Sequence, residues 1–290
     1  MAVCHVLRYA PYFMAMREVI KKGMIGDIVS VQHLEPIQYS HMAHSYVRGN
    51  WRSSKQTTPI ILAKSCHDLD IIRYLVGKPC ETIVADGSLY LFKKENAPEG
   101  APLRCLDGCP HEKDCPYNAV DIYLKKRRHL QGLRTDFSRQ MTDDEIMTAI
   151  KTGPYGRCVY HCDNDVVDHQ IVNMELEDET TISFVVNAFT CNDFRGTHIK
   201  MTKGEIDGNE TTLRVRKFRG NEETVYDFSD LSNQPFHAGA DLNIVEEFVN
   251  SITRSSEGVL SSTIESSIES HVVCYEAETS RLTNQTIMIE

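Results

Sequence analysis

Residues 62–70 read Leu-Ala-Lys-Ser-Cys-His-Asp-Leu-Asp and lead into the apolar run Ile-Ile-Arg-Tyr-Leu-Val at 71–76. If the run is helical, its apolar residues at spacings of three and four form one buried face. Lys64, His67 and Asp68 would then share a face at or just before the helix start. Such a cluster suits proton transfer at an alcohol or carbonyl. The spacing alone is equally compatible with an acid-capped helix start and a hydrogen-bonded histidine.

Composition excludes several classes of protein. The chain has 290 residues, 41% of them hydrophobic and 25% charged, which is typical of a globular protein. A net charge of −10 argues against nucleic-acid binding, and no apolar run is long enough for a membrane span. The N-terminal residues do not resemble a secretory signal. The ten cysteines therefore indicate reduced thiols with a few metal ligands, and we expect a cytoplasmic protein.

Strand patterns dominate the second half of the chain. Five short runs between residues 170 and 228 are separated by turn residues, which predicts an antiparallel sheet. Two amphipathic helices, at 240–252 and 263–283, close the chain. Further predicted elements are helices at 11–22 and after the capping box at 142–145, and strands at 2–7, 28–38 and 82–92.

Short motifs follow one another over nearly the whole length. They are His67-Asp68-x-Asp70 before a hydrophobic helix, Arg8-Tyr9-x-Pro11 with Gly26-Asp27-Ile28, Arg48-Gly49-Asn50-Trp51-Arg52, His237-Ala238-Gly239-Ala240-Asp241 and Glu269-Ser270-His271. In order and spacing they resemble the C-terminal portion of the Gfo/Idh/MocA family of oxidoreductases. The resemblance implies an α/β fold of the α+β type, with a predominantly antiparallel open sheet covered by helices on one face. A Cys-rich insert at about 96–162 marks a subgroup.

The nucleotide-binding half of that family is not recognisable in the sequence. A nicotinamide-binding fold needs a Gly-rich strand-to-helix turn, and no G-x-G-x-x-G occurs. The family's Glu-Lys-Pro motif is also absent. We therefore expect residues 1–26 to be the last strand and connecting helix of a truncated Rossmann domain. Residues 27–290 would form the substrate-binding and oligomerisation domain, and NAD or NADP would need the missing part.

The resemblance assigns roles to individual residues. His67 corresponds to a histidine that contacts the substrate hydroxyl and acts as acid or base during hydride transfer. The aspartate usual four residues earlier is Ala63 here, so Lys64 is a candidate for orienting the oxygen or transferring the proton. The alternative for Lys64 is a surface ion pair with Asp68.

A polar and aromatic segment at 39–52 suits a polyhydroxylated substrate. Within it, Arg48, Trp51 and Arg52 are candidate substrate-binding residues, although Trp51 could equally be a core anchor. Asp68 and His237 are the other candidates. Residues predicted to lie near the nicotinamide are Arg8 and Tyr9.

The insert carries a possible metal site. Cys105, Cys109 and Cys115 lie in a Gly- and Pro-rich loop, and a fourth ligand could be Cys158, Cys162 or His161. A Cys4 or Cys3His set fits structural zinc better than an iron–sulfur cluster, because no C-x2-C pair is present. The alternative is reduced loop thiols.

The resemblance implies an NAD(P)-dependent oxidoreductase acting on a CH–OH group of a sugar, a cyclitol or a derivative. One alternative is a redox-neutral enzyme that uses transient oxidation for glycosidic cleavage. Another is a catalytically inert, zinc-stabilised assembly domain. In the family that the chain resembles, the open sheet face makes a subunit contact, so we expect a homo-oligomer. We expect neither nucleic-acid nor membrane partners.

Overall fold

The computed structural model describes residues 3–134, 137–232, 239–253 and 261–289. The helices are α1 (Pro11–Lys21), α2 (Tyr39–Met42), α3 (Ile60–Ala63), α4 (Cys66–Val76), α5 (Asp143–Thr152), α6 (Ser229–Ser232), α7 (Ala240–Thr253) and α8 (Ile264–Thr283). The strands are β1 (Ile28–Gln38), β2 (Cys80–Ser88), β3 (His169–Leu176), β4 (Thr181–Thr190), β5 (Gly196–Met201), β6 (Gly204–Gly208), β7 (Thr212–Lys217), β8 (Glu223–Asp227) and β9 (Ile287–Met288).

The strands form one sheet in the order β8-β7-β6-β5-β1-β4-β3-β2-β9. Only the β1–β4 pair is parallel among these neighbours, so the prediction of a predominantly antiparallel sheet is confirmed. The parallel pair brings the end of β1 beside the end of β4, where polar segments follow both strands. This edge of the sheet carries much of the candidate site.

Helices cover one face of the sheet. Side chains on β4 alternate between buried and accessible positions, with Phe184 fully buried beneath the helical layer. Helix α4 packs on β1, and α8 packs on both β2 and α4. Helix α4 begins and ends where the pattern predicts, and Gly77 terminates it with a positive φ of 70°.

The predicted strand at 2–7 is not formed in the described part of that segment. Residues Val6–Tyr9 form a 3-10 helix instead, and the Val3 amide bonds to the Ser262 carbonyl. A strand requires a hydrogen-bonded neighbour, and this segment packs against α4 and α7 rather than a sheet edge. The apolar run therefore indicated burial correctly but not its conformation.

The insert has a small core of its own. Its buried side chains are Ala119, Ile122, Tyr123, Leu133, Ile146 and Ile150. Helix α5 begins with the predicted capping box, in which Thr142 and Glu145 bond reciprocally. Among the helices in the described ranges, none combines the length and hydropathy needed to cross a bilayer.

Candidate active site

Lys64 lies in the break between α3 and α4, beside a buried carboxylate. Its backbone angles (φ −122°, ψ −51°) end α3 before α4 begins at Cys66. The Lys64 Nζ is 3.1 Å from Glu35 Oε1, and the Glu35 side chain is only 2% exposed. Ser65 donates a hydrogen bond of 2.7 Å to the other Glu35 oxygen. The ion pair predicted as the alternative for Lys64 therefore forms with Glu35 instead of Asp68.

Asp68 is fully buried in an adjoining ionic network. Arg195 donates from Nε to Asp68 Oδ1 at 2.7 Å, and His33 Nε2 lies 3.1 Å from the same oxygen. Thr197 Oγ1 lies 3.0 Å from the other ring nitrogen of His33, so it orients the imidazole. Asp68 therefore holds Arg195 in place, and its burial leaves no surface for the predicted direct contact with a substrate.

The pKa values of Glu35 and Asp68 are shifted in opposite directions. Burial raises the pKa of Glu35 to about 7, and the Asp68 charge adds to this, while Lys64 and Arg195 oppose it. Burial would also raise the pKa of Asp68, but the Arg195 charge and the His33 hydrogen bond hold it well below its ordinary value. Asp68 is thus a fixed anion near neutral pH, whereas Glu35 can exchange a proton with its surroundings.

His67 lies in the first turn of α4. Its Nδ1 is buried and has no hydrogen-bond partner among the described residues. The ring is 5.9 Å from that of His5 in an edge-to-face arrangement. Burial lowers the pKa of His67, and the charges of Arg195 and Lys64 lower it further while Asp68 opposes them. His67 is therefore neutral at physiological pH and close enough to sense the Lys64 charge.

A cavity of about 320 Å³ adjoins this network. It combines an aromatic wall with polar groups, and is lined by Leu7, Ala10, Pro11, Tyr12, Phe13, Asp193, Phe194, Arg195, Asn209, Glu210, Thr211, Phe228 and Leu231. Asp193 accepts hydrogen bonds from His41 and from the Gln38 amide, and these bonds, with a smaller contribution from the Lys64 charge, hold the Asp193 pKa below its ordinary value against the effect of burial. Another cavity, of about 400 Å³, lies in the insert and contains none of the predicted site residues.

The segment at 39–52 is largely helical, since α2 continues into a π-helix at Ala43–Arg48. Trp51 is 45% exposed, so it is not a core anchor. Arg52 pairs with Asp163 at 2.9 Å. Arg48 is 1% exposed and points into the insert, where it donates a hydrogen bond to the Tyr117 carbonyl.

The two residues predicted to lie near the nicotinamide make buried contacts within the chain. Arg8 forms a two-pronged ion pair with the buried Asp70, at 2.7 and 2.5 Å. The Tyr9 hydroxyl lies 2.9 Å from Ser262 Oγ and bonds to Glu247. Both side chains are buried, so neither offers a free surface for a nicotinamide. His237 lies outside the described residues.

The four cysteines Cys105, Cys109, Cys115 and Cys158 all line one small cavity. All ten cysteines of the chain are free thiols. No three His, Cys, Asp or Glu side chains in the described ranges are already placed as a set of metal ligands. The described residues therefore contain no preformed zinc site.

Sequence reasoning missed Glu35, His33 and Arg195. A signal existed for the first two, because they lie on the same core-facing side of β1 as Val31 and Ile37. Polar residues at such positions are costly unless they are paired. Arg195 had no comparable signal, because its partner Asp68 is 127 residues away in the sequence.

Comparison with known proteins agrees with the fold and the motifs. The sequence profile described as "Oxidoreductase family, C-terminal alpha/beta domain" (Gfo/Idh/MocA) matches residues 17–281. The chain therefore belongs to the Gfo/Idh/MocA family of oxidoreductases. It is 24% identical over 209 residues to YteT of Bacillus subtilis (strain 168), a protein described as an oxidoreductase. That match covers 70% of the chain but only 46% of YteT.

Solved structures show the same fold at low identity. A levoglucosan dehydrogenase in complex with NADH and levoglucosan superposes with a TM-score of 0.64 at 14% identity. An Agrobacterium radiobacter oxidoreductase bound to NAD+ and L-tartaric acid gives 0.62 at 15%. The transcriptional regulator Gal80p of Kluyveromyces lactis gives 0.63 at 16%. Each match covers 99% of the chain but only 66%, 64% and 59% of those proteins, respectively.

Proposed function

We propose that the chain is the substrate-binding part of an NAD(P)-dependent oxidoreductase acting on a CH–OH group of a sugar, a cyclitol or a derivative. The observation that carries this proposal is the Lys64–Glu35 pair, an accessible amine 3.1 Å from a buried carboxylate. Family membership supports the oxidoreductase class. The dehydrogenase relative bound to levoglucosan supports a carbohydrate-like substrate.

The pair provides a path for the hydroxyl proton. When Glu35 takes a proton from the Lys64 ammonium, the neutral amine can accept the proton of a substrate hydroxyl. Because the pKa of Glu35 is raised to about 7, this carboxylate accepts a proton more readily than an ordinary carboxylate would. A bound nicotinamide would supply the other half of the chemistry by accepting the hydride from the carbinol carbon.

The neighbouring cavity accounts for substrate recognition. Its aromatic wall includes Tyr12 and Phe194, which offer a flat apolar surface to one side of a sugar ring. Asn209 and Glu210 present amide and carboxylate groups that can bond to several hydroxyls. Arg195 is held by Asp68, so its position is fixed before the substrate arrives. Trp51 and His67 remain candidate substrate contacts.

An exposed apolar stripe supports docking of a nucleotide-binding part. Helix α7 presents a row of apolar side chains at helical spacing, namely Leu242, Val245, Phe248, Val249 and Ile252, each at least 43% exposed. The chain spans less than two thirds of the length of the first relatives it matches. We therefore propose that this stripe contacts the part that binds NAD or NADP, and that the open sheet face joins copies of the chain.

The test uses the chain together with its nucleotide-binding part, NAD+ or NADP+, and a panel of neutral sugars, sugar acids and cyclitols. Oxidised product in equal amount to reduced nicotinamide is the expected result. Cleaved product without net reduced nicotinamide would favour the redox-neutral alternative. Binding of a panel member without any turnover would favour a binding module, which the fold similarity to a transcriptional regulator also allows. Failure of every panel member to bind would overturn the proposal.

A further inference from the structure

The Cys-rich insert brings four thiols to one small void. Cys105 and Cys158 lie on adjacent extended segments, because the Cys105 amide bonds to the Gly156 carbonyl at 3.0 Å and the Cys158 amide to the Leu103 carbonyl at 2.9 Å. Cys109 and Cys115 come from the tight turns that follow. All four line a cavity of about 20 Å³. A space of this size holds one water-sized occupant.

A buried guanidinium at this void lacks a counter-charge. Arg48 donates from Nε to the Arg157 carbonyl and from Nη2 to the Tyr117 carbonyl, both at 2.7 Å. Its Nη2 is also 3.7 Å from Cys105 Sγ, and its Nη1 has no hydrogen-bond partner among the described residues. No carboxylate in the described ranges forms an ion pair with Arg48. Since arginine stays protonated, burial without an anion is strongly unfavourable.

Arg104 adds a second cationic group to the same cavity. It donates from Nη2 to the Ile150 and Gly153 carbonyls, each at 2.6 Å, but its buried Nε is unpartnered among the described residues. Two guanidinium groups and four thiols thus surround one small space. The positive charge of the two guanidinium groups would be balanced by an occupant that promotes deprotonation of the thiols.

We propose that Cys105, Cys109, Cys115 and Cys158 bind one zinc ion as thiolates. Each thiol gives up its proton to solvent, and a divalent ion with four thiolates carries a net charge of −2, which the two guanidinium groups balance. The sulfur atoms are not already placed as ligands in the metal-free chain, so their side chains turn toward the ion on binding.

The neighbouring groups identify the fourth ligand. The Cys162 thiol is outside the cavity lining and donates to the Cys158 carbonyl at 3.3 Å. The His161 ring bonds to the Ala101 carbonyl at 3.1 Å. Both alternatives to Cys158 therefore have other partners.

Neither disulfides nor free thiols satisfy the same charge requirement. Oxidation of the cysteines to two disulfides would leave both guanidinium groups without an anion, and protonated thiols are neutral as well. Only deprotonation, which a soft divalent ion promotes, balances the buried charge. The ion would also tie the turns at 105–115 to residue 158, next to the helical segment that carries Trp51.

The experiment uses the whole chain, purified without chelators. We expect about one zinc per chain by elemental analysis, and cobalt exchange should give the intense thiolate-to-metal absorption of a tetrahedral site. Cys109→Ser should lose the metal, whereas Cys191→Ser, at an exposed cysteine outside the cluster, should keep it. Arg48→Met should weaken zinc binding by roughly 10–100-fold, and Arg48→Lys by less.

Alkylation of the wild-type chain gives a readout that does not depend on a variant folding. Zinc should protect the four cluster cysteines, and a chelator should expose them, while Cys191 reacts in both states. Intact mass spectrometry distinguishes the other outcomes. Disulfides within the cluster, or four reduced cysteines that take up neither zinc nor cobalt, would overturn the proposal.

Discussion

At the scale of single residues, Lys64 is the side chain on which the proposed chemistry depends. Lys64→Met should reduce kcat by about 100- to 10,000-fold, the usual contribution of a proton-transferring group, with little change in melting temperature. The fold should tolerate the change, because Glu35 can become neutral when its cation is removed. The matched control is Lys78→Met, which removes a surface lysine 3.9 Å from Asp178. Equal turnover in the Lys64 variant would contradict its role.

The raised pKa of Glu35 predicts how the free energy of unfolding depends on pH. Its folded-state pKa, about 7, lies above the ordinary value of 4.5. A raised carboxyl pKa stabilises the fold fully below pH 4.5, and this contribution is lost as the pH rises through 7. Glu35→Gln does not titrate, so the stability of the variant relative to wild type should increase over that window, by up to about 3 kcal/mol.

Urea unfolding at several pH values measures this difference. The control is Glu177→Gln, at an exposed position. A difference between the Glu35 variant and wild type that stays constant from pH 4.5 to 7.5 would show that Glu35 does not titrate in this range.

At the scale of elements, Arg8 joins the 3-10 helix at Val6–Tyr9 to α4. The Arg8–Asp70 pair is buried, and Ser270 of α8 donates a hydrogen bond of 2.7 Å to the same carboxylate. Removing one partner leaves a buried charge unpaired, so Arg8→Met should lower the free energy of unfolding by about 3–5 kcal/mol. The exposed pair of Arg127 and Asp143 provides the comparison, and Arg127→Met should cost less than about 1 kcal/mol.

Denaturant titration and cofactor kinetics together separate two roles for Arg8. A structural role requires lower stability with an unchanged KM for the nicotinamide in the fraction that remains folded. A raised KM with wild-type stability would instead restore the sequence-based prediction that Arg8 contacts the cofactor.

Helices and strands whose apolar residues recur at a regular spacing were predictable, because that spacing shows which face of the element is buried. Helix α4 and strand β4 follow their apolar spacing of 3.6 and 2 residues. The conformation of the segment at 2–7 was not predictable, because a short apolar run indicates burial without fixing the conformation. The helical form of residues 39–48 was also missed, since a segment rich in polar and aromatic residues carries no clear apolar period.

At the scale of the whole molecule, the sequence motifs located the candidate site but did not reveal the buried ionic network of Glu35, Asp68 and Arg195. Lys64 and His67 stand in a segment that the sequence marks, whereas Glu35 and Arg195 reach them through strand pairing. Arg195 precedes β5, which pairs with β1 in antiparallel register, and this long-range register brings it to Glu35 and Asp68. The sequence alone does not show which residues of distant strands face each other. The burial of Arg48 was not predictable for the same reason, since it depends on how the insert folds over this side chain.

Buried histidines predict how the whole fold responds to acid. Burial lowers the pKa of His5 to about 4, although the Asp70 charge opposes the shift and the Arg8 charge adds to it. Burial lowers the pKa of His44 to about 3, and the charges of His129 and His41 lower it further. A lowered histidine pKa means that the unfolded chain binds the proton first, so stability is lost as the pH falls below 6.5. Each histidine should cost up to about 2 kcal/mol between pH 7 and pH 5.

Between pH 7 and pH 5, Glu35 stabilises the fold as the pH falls, whereas the two histidines destabilise it. The effect of each histidine must therefore be measured by comparing its variant with the wild type. His5→Gln and His44→Gln should each make the unfolding free energy less dependent on pH between 7 and 5. His111→Gln, in a turn of the insert where the ring bonds to the Glu99 carbonyl, should leave the wild-type profile unchanged. Parallel profiles for all four proteins would show that the two rings bind protons as readily in the folded chain as in the unfolded chain, and would contradict the effect of burial on their pKa values.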